Sequence, residues 1–147
     1  MLTVDLDRIQ LDDNTTAGGP IRVAFPFHSA AGSADTAAVL FELDPQASLA
    51  THTDSAEEVL LVLEGEAEAS VGDEHAELGP GQLAVVPAAT PHSVRNVGSS
   101  RLRVLGFFSS STVVATFEKP LAQDGPQLMV IGAPIPLAAP LAEAARL

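Results

Sequence analysis

The chain of 147 residues contains no cysteine, tryptophan or tyrosine. Without cysteine, disulfide bonds, thiolate metal ligands and cysteine nucleophiles are all excluded. The absence of tyrosine also removes the phenolic hydroxyl as a catalytic acid or base. Any proton chemistry must therefore fall to carboxylates, histidines or bound water.

Positive charge is scarce as well. Seven Lys and Arg residues oppose nineteen Asp and Glu residues, which gives a formal net charge of −12. A charge of this sign repels phosphate backbones and anionic lipid surfaces, so we expect neither nucleic acid nor a membrane as a partner. No segment approaches the roughly 20 consecutive apolar residues of a membrane span, and no basic region precedes an apolar run at the N-terminus. We therefore expect a cytoplasmic protein.

Short apolar runs separated by Gly, Pro and Asn or Asp fill most of the chain, and almost none keeps a helical period. Residues 21–29 and 37–45 are predicted as the first two strands, with Pro26 favouring an edge or a bulge because proline cannot donate to a ladder. Turns roughly every 8 to 12 residues are typical of a sandwich, jelly roll or small barrel. The length suits one domain over residues 1–147, with a barrel core at about 21–117 and a C-terminal arm at about 118–147.

Two stretches combine metal-ligand residue types with fixed spacing. The first reads His52-x-Asp54-x3-Glu58-x6-Gly65. After fifteen intervening residues the second reads Gly81-x5-Pro87-x-Ala89-x2-His92-x3-Asn96. Because residues i and i+2 of a strand point to the same face, His52 and Asp54 can converge inward.

These stretches resemble the two signature motifs of the cupin superfamily, Gly-x5-His-x-His-x3 or 4-Glu-x6-Gly and Gly-x5-Pro-x-Gly-x2-His-x3-Asn. The chain departs from them at three positions, since Gln46 and Ala89 replace motif glycines and Asp54 replaces the second histidine. The resemblance implies an all-β fold, the cupin double-stranded β-helix or jelly-roll barrel. It also implies a homodimer that exchanges or pairs its N-terminal edge strand or its C-terminal arm.

The resemblance further implies one mononuclear site for a divalent transition metal, held by His52, Asp54, Glu58 and His92. Imidazole nitrogen and carboxylate oxygen suit Fe, Mn, Ni, Zn or Cu, and two carboxylates offset the charge of a divalent ion. That donor set favours harder ions such as Mn(II) or Fe(II). Glu58 would also be the catalytic base. The alternative for Asp54 is a turn residue that caps local backbone amides.

The remaining titratable residues are assigned to other roles. We expect His28, His75 and Glu57 at the surface, although His28 could also line the barrel mouth. Arg101 and Arg103 share one face of a strand. They would form an anion clamp if that face is interior, and they would only solubilise the protein if it is exterior.

Three functions fit the sequence. The first is a metal-dependent enzyme, similar to the single-domain cupin dioxygenases, that acts on a small organic molecule. The second is a cupin that binds a small ligand or regulates without turnover. The third is a 2-oxoglutarate-dependent oxygenase, because His52-x-Asp54 with His92 matches its facial triad and Arg103 follows eleven residues later. The fold does not distinguish among them.

Overall fold

The computed structural model describes residues 1–121 and 124–132, and every regular element in these ranges is a β-strand. This confirms the all-β jelly-roll prediction. Residues 133–147 of the predicted C-terminal arm lie outside the described residues. In chain order the strands are β1 (Asp12–Thr16), β2 (Gly19–Ala24), β3 (Ala37–Leu43), β4 (Ser48–Asp54), β5 (Glu58–Glu64), β6 (Ala67–Val71), β7 (Glu74–Leu78), β8 (Leu83–Val86), β9 (His92–Asn96), β10 (Leu102–Phe108), β11 (Val113–Phe117) and β12 (Leu128–Ile131).

The strands form two antiparallel sheets of six. The first has the order β1-β2-β3-β10-β5-β8 and the second the order β12-β11-β4-β9-β6-β7. Side chains that alternate along each strand fill the space between the sheets, as a two-layer jelly roll requires. The main buried cluster consists of Ile21, Phe41, Leu43, Leu60, Val62, Ala67, Val86, Val94, Leu102 and Val104.

The outer face of the first sheet is covered by the N-terminal segment, residues 1–11. Leu6, Ile9 and Leu11 pack there against a second buried cluster that includes Leu40 and Leu105. These two residues alternate with inward-facing neighbours on β3 and β10, so they point away from the barrel interior. The N-terminal segment therefore acts as a strap over the back of the sheet.

Several strand boundaries differ from the sequence predictions. Strand β2 ends at Ala24, two residues before Pro26, because proline has no amide hydrogen for the ladder. The polar strand β1 was missed because its residues are mostly exposed and show no apolar alternation. Strand β12 lies within the predicted C-terminal arm and pairs with β11, so part of that arm belongs to a sheet. The part of the chain that the structure describes contains no helix long and apolar enough to cross a membrane.

Candidate metal centre

A β-bulge on β4 sets the direction of the first two candidate ligands. Leu49 pairs with Val94 and His52 pairs with His92, so β4 advances three residues while β9 advances two. The extra residue reverses the inward and outward alternation, as bulges do. Leu49, His52 and Asp54 therefore all face the barrel interior, where all three line one cavity.

The two histidine rings are oriented by the same local hydrogen bond. His52 Nδ1 donates to the carbonyl of Ala50 at 2.8 Å, and His92 Nδ1 donates to the carbonyl of Thr90 at 2.9 Å. A carbonyl oxygen can only accept, so Nδ1 carries the proton in each ring. In the neutral rings Nε2 is then an unprotonated acceptor, which is the state that a metal ligand requires. Phe117 stacks on His52 with ring centroids 4.7 Å apart and fixes it further.

Three candidate ligands converge. His52, Asp54 and His92 each offer one ligand atom, and these atoms lie within 4.8 Å of one another. Asp54 Oδ2 lies 3.6 Å from His52 Nε2 and 3.1 Å from His92 Nε2. All three residues are buried. The tertiary structure thus joins two residues of β4 to one residue of β9, forty positions from His52 in the sequence.

The chemistry of these atoms fits a cation. While the ring of His92 is neutral, the buried atoms Asp54 Oδ2 and His92 Nε2 have no hydrogen-bond partner. Although they are only 3.1 Å apart, both are acceptors when the ring is neutral, so neither satisfies the other. Buried polar groups are nearly always satisfied, and converging acceptors are satisfied by a proton or a metal ion. Two imidazoles and one carboxylate form the triad typical of non-heme Fe(II) sites.

Glu58 approaches the same cluster from the other sheet. It is the first residue of β5, and its Oε1 lies 3.3 Å from His92 Nε2. Its carboxylate occupies space left by Gly106 on β10, since a Cβ atom at Gly106 would overlap Glu58 Oε2. Glu58 thus adjoins the cluster, although the three atoms that lie within 4.8 Å of one another belong to the other residues.

Burial and charge oppose each other in this cluster. Burial disfavours the charged ring of His92, but hydrogen bonds to Asp54 and Glu58 outweigh it and raise the pKa of His92 to about 10. Burial also favours the protonated form of Asp54, yet the two histidines outweigh it and lower the pKa of Asp54. For Glu58, burial dominates and raises the pKa of the carboxyl group. In the metal-free protein the ring of His92 is therefore protonated at neutral pH, and its positive charge offsets the negative charge of Asp54.

The two residues that replace motif glycines both adopt glycine-like backbone. Gln46 has φ 73° and Ala89 has φ 59°, in the left-handed region that disfavours residues with a Cβ atom. Ala89 also donates its amide hydrogen to the carbonyl of Asp54 at 2.8 Å. The turn before β9 is thus bonded directly to the end of β4, next to the candidate ligand.

An apolar cavity extends from the cluster between the two sheets. The volume open to the centre of a water-sized molecule is about 50 Å³. Four of the six phenylalanines of the chain contribute to its wall. The cavity is lined by Asn14, Thr16, Ile21, Val23, Phe25, Val39, Phe41, Leu49, His52, Asp54, Glu58, Phe108, Ala115, Phe117, Leu121, Met129 and Ile131.

Arg101 and Arg103 lie on the outer face, and the anion-clamp hypothesis is wrong. Both contact Glu42 Oε2 at 3.3 Å, and Arg22 binds the other oxygen of Glu42 at 3.2 Å. Arg103 also donates to Leu6 O and Asp7 Oδ1 of the strap. With 8% of its surface exposed, Arg103 does not merely solubilise the protein either.

The structure also gives the exposure of the adjacent residues Phe107 and Phe108 and of the three residues expected at the surface. Phe108 lines the cavity while the adjacent Phe107 is partly exposed on the outer face. His75 is exposed and bonded to Ser70 Oγ, and Glu57 is exposed. His28 is half-buried and accepts a hydrogen bond from the amide of Ala30.

Sequence reasoning missed three residues that contribute to the site. Phe117 could have been found, because it follows the apolar residues Val113 and Ala115 at the two-residue period of one strand face. Asn14 and Thr16 carried no such signal, since β1 itself was not predicted.

Comparison with known proteins identifies the family of this fold. Residues 39–108 match the family model described as a cupin domain, and no curated protein sequence matches the chain. Among solved structures, a predicted oxalate decarboxylase from Thermotoga maritima is 19% identical, with a TM-score of 0.67, over 74% of this chain and 99% of that one. The polyketide cyclase RemF from Streptomyces resistomycificus is 20% identical, with a TM-score of 0.62, over 74% and 78% of the two chains.

A third structure is much longer than this chain. The oxalate decarboxylase of Lactobacillus farciminis, solved as a formate complex, is 19% identical with a TM-score of 0.61. The match covers 69% of this chain and only 31% of the decarboxylase. At these identities the structural likeness establishes the fold, and the named activities differ from one structure to the next. Residues 39–108, which carry both motifs, match the cupin domain, and the two six-stranded sheets around them form a cupin-like jelly roll.

Proposed function

We propose that this protein is a mononuclear metal-binding cupin and a metal-dependent enzyme, dioxygenase-like, that acts on a small organic substrate. The observation that carries the proposal is the buried meeting of His52, Asp54 and His92 at the wall of an apolar cavity. Asp54 Oδ2 and His92 Nε2 lack hydrogen-bond partners there, which is unfavourable unless a cation or proton satisfies them.

The residues of the cluster would bind the metal ion, and two backbone carbonyls would orient the histidine rings. His52, Asp54 and His92 would hold a divalent ion, with Mn(II) or Fe(II) favoured by the mixed nitrogen and oxygen donors. When bound, such an ion supplies Lewis acidity and a place where substrate oxygen and O₂ can be activated. The carbonyls of Ala50 and Thr90 keep both Nε2 atoms directed at that position.

Glu58 has two roles in the proposal, as a fourth ligand and as the catalytic base. Its contact with His92 supports a position beside a bound ion, and its pKa, raised by burial, would bring it closer to the working pH of a proton-transfer group. The cavity walls would exclude water from the reacting groups.

The experiment that tests the metal site is elemental analysis of protein purified without an affinity tag or chelator. We expect near-stoichiometric Fe or Mn in the wild type, and loss of the metal in His92→Ala and Asp54→Asn. The matched control is His75→Ala, which removes an exposed imidazole that is bonded to Ser70 and is not part of the cluster, and it must leave the metal content unchanged. A wild type that holds no metal and takes up no added ion would contradict the proposal.

A non-catalytic ligand-binding cupin is the second candidate, because the cavity contains few polar groups beyond the cluster. Oxygen uptake by the metal-loaded protein with candidate substrates separates the two, and Glu58→Gln must abolish that uptake while retaining metal. The third function, a 2-oxoglutarate-dependent oxygenase, is disfavoured. Its candidate anion-binding residue, Arg103, is paired with Glu42 on the outer face and does not line the cavity.

A homodimer remains part of the proposal. Strands β1 and β12 are sheet edges, and unpaired edges favour pairing between copies. On the opposite edge strand β8, Leu83 and Val85 are more than half exposed. Light scattering coupled to size-exclusion chromatography would measure the mass, and a monomer at micromolar concentration would remove this part of the proposal.

A further inference from the structure

We propose that the ligand of this cavity is a neutral aromatic molecule, and that the cavity selects against small carboxylates and other anions. This inference rests on the proposed function, because it names the substrate class of the same site. It follows from where the chain places its few cations and its phenylalanines.

Anion binding requires a cation or a set of donors at the site. None of the Lys and Arg residues in the described ranges lines the cavity. Arg22, Arg101 and Arg103 are bound to Glu42 on the outer face, and Arg95 is bound to Gln46. Lys119 lines a separate groove, and Arg8 is exposed beside Asp5. The Lys and Arg side chains of the described residues therefore lie outside the cavity wall.

The charged groups that do line the cavity are acidic. Asp54 and Glu58 form part of its wall. Neither carboxylate attracts an anion, so these side chains add no positive charge to that of a bound ion. An anion entering an apolar cavity would also lose its hydration without a compensating partner, which is strongly unfavourable.

The walls favour a planar apolar ligand. Phe25, Phe41, Phe108 and Phe117 all line the cavity, and Phe117 already stacks on the ring of His52. Aromatic side chains gain from offset or edge-to-face contact with another ring beyond the area that they bury. Asn14 adds a polar side chain that can orient one oxygen of such a ligand, whereas the Thr16 hydroxyl is already bonded to Ser48 O and Gly18 N.

The test compares two fluorescent probes with the same ring system, naphthalen-2-ol and naphthalene-2-sulfonate. Because the chain has no tryptophan or tyrosine, probe emission is free of protein background. We expect the Mn(II)-loaded wild type to bind naphthalen-2-ol at least about tenfold more tightly than the sulfonate, and excess oxalate to displace none of the bound naphthalen-2-ol. Equal or tighter binding of the sulfonate, or displacement by oxalate, would overturn the inference.

A charge variant sharpens the test. Met129 lines the cavity on edge strand β12 and lies in register with Ala115, which in turn is in register with Asp54. Met129→Lys should lower the preference for the neutral probe to about threefold or less, because it supplies the missing cation. Met129→Leu, the control of similar volume, should keep the wild-type preference. An unchanged preference in a folded Met129→Lys protein would count against the inference.

Metal content is measured on every sample so that the two proposals fail separately. A wild type that retains metal but prefers the sulfonate keeps the proposed metal site and loses the inference about the ligand. A wild type without metal that still prefers naphthalen-2-ol keeps the ligand class and loses the metal-dependent function. Arg146 lies outside the described residues, and Arg146→Ala must leave the preference for naphthalen-2-ol unchanged.

Discussion

His52 and His92 are directly paired across strands β4 and β9, with their ring centroids 4.2 Å apart. Each ring donates its Nδ1 hydrogen to the carbonyl of the residue two positions before it. Two residues forty positions apart in the sequence therefore present the same ring nitrogen to the same point. This pairing gives the proposed metal centre its two imidazoles before any ion is present.

Metal binding should strengthen as the pH rises. The unfolded-state pKa of histidine is about 6.5, whereas hydrogen bonds to Asp54 and Glu58 raise the pKa of His92 to about 10 against the opposing effect of burial. At neutral pH the metal-free ring is thus protonated, and an ion must displace that proton. Between pH 6 and 8 we expect Mn(II) affinity to rise by about tenfold per pH unit.

Titration calorimetry in buffers of different ionisation enthalpy would measure the released proton. His75→Ala should show the same pH slope, because this exposed ring is bonded to Ser70 and does not contact the cluster. An affinity that is independent of pH over this range would show that His92 is already neutral.

Replacing Ala89 by glycine should stabilise the protein. The left-handed conformation at φ 59° costs a residue with a Cβ atom roughly 1–2 kcal/mol. Part of that gain is cancelled, because glycine makes the unfolded chain more flexible by about 0.4–1 kcal/mol. We expect the free energy of unfolding to rise by about 0.5–1 kcal/mol in urea titrations. Gln46→Gly should behave alike, since φ at Gln46 is 73°.

The control for this prediction is the neighbouring residue. Ala88 does not have a positive φ, so Ala88→Gly should destabilise the protein instead. If Ala89→Gly and Ala88→Gly lower the free energy of unfolding to the same extent, Ala89 is not under backbone strain.

Adding a methyl group at Gly106 should disturb Glu58. The new Cβ atom would overlap the Glu58 carboxylate and lie 2.9 Å from Val39 Cγ1. We expect Gly106→Ala to lower the free energy of unfolding by about 1–3 kcal/mol through overpacking. Combined with Glu58→Ala, the same change should cost clearly less, because the overlapping carboxylate is gone.

A double-mutant cycle from chemical denaturation measures this coupling. Gly79→Ala serves as a control, since its nearest contact would be a flexible oxygen of Glu66 at 3.3 Å. Additive effects of Gly106→Ala and Glu58→Ala would contradict the predicted overlap.

Removing the guanidinium of Arg103 should loosen the N-terminal strap. This buried side chain forms an ion pair with Glu42 on the sheet and donates hydrogen bonds to Leu6 and Asp7 of the strap. We expect Arg103→Leu to cost about 2–4 kcal/mol, because a buried carboxylate loses one of its cations. Limited proteolysis should then cut within residues 1–11 faster than in the wild type.

Arg95→Leu is the matched control for the strap. Arg95 is exposed and bonded to Gln46, so its loss should change stability by less than about 0.5 kcal/mol. Equal proteolysis of Arg103→Leu and wild type would show that Arg103 does not hold the strap.

The sequence by itself determined the fold class and the family. Alternating apolar residues and frequent turn signals predicted short strands, because a sheet with one buried face requires that period. Motif spacing singled out His52, Asp54 and His92, whose ligand atoms lie within 4.8 Å of one another. These are local properties, fixed by a few neighbouring residues.

Only the tertiary structure decided the geometry on which the proposed chemistry depends. The bulge at Ala50 and Thr51 lets Leu49 and His52 face the same interior, which no simple alternation predicts. The contacts of Arg103 depend on Glu42 and on the strap, which is almost a hundred residues away in the sequence. Such contacts arise from packing between distant segments, so their partners cannot be found from local pattern.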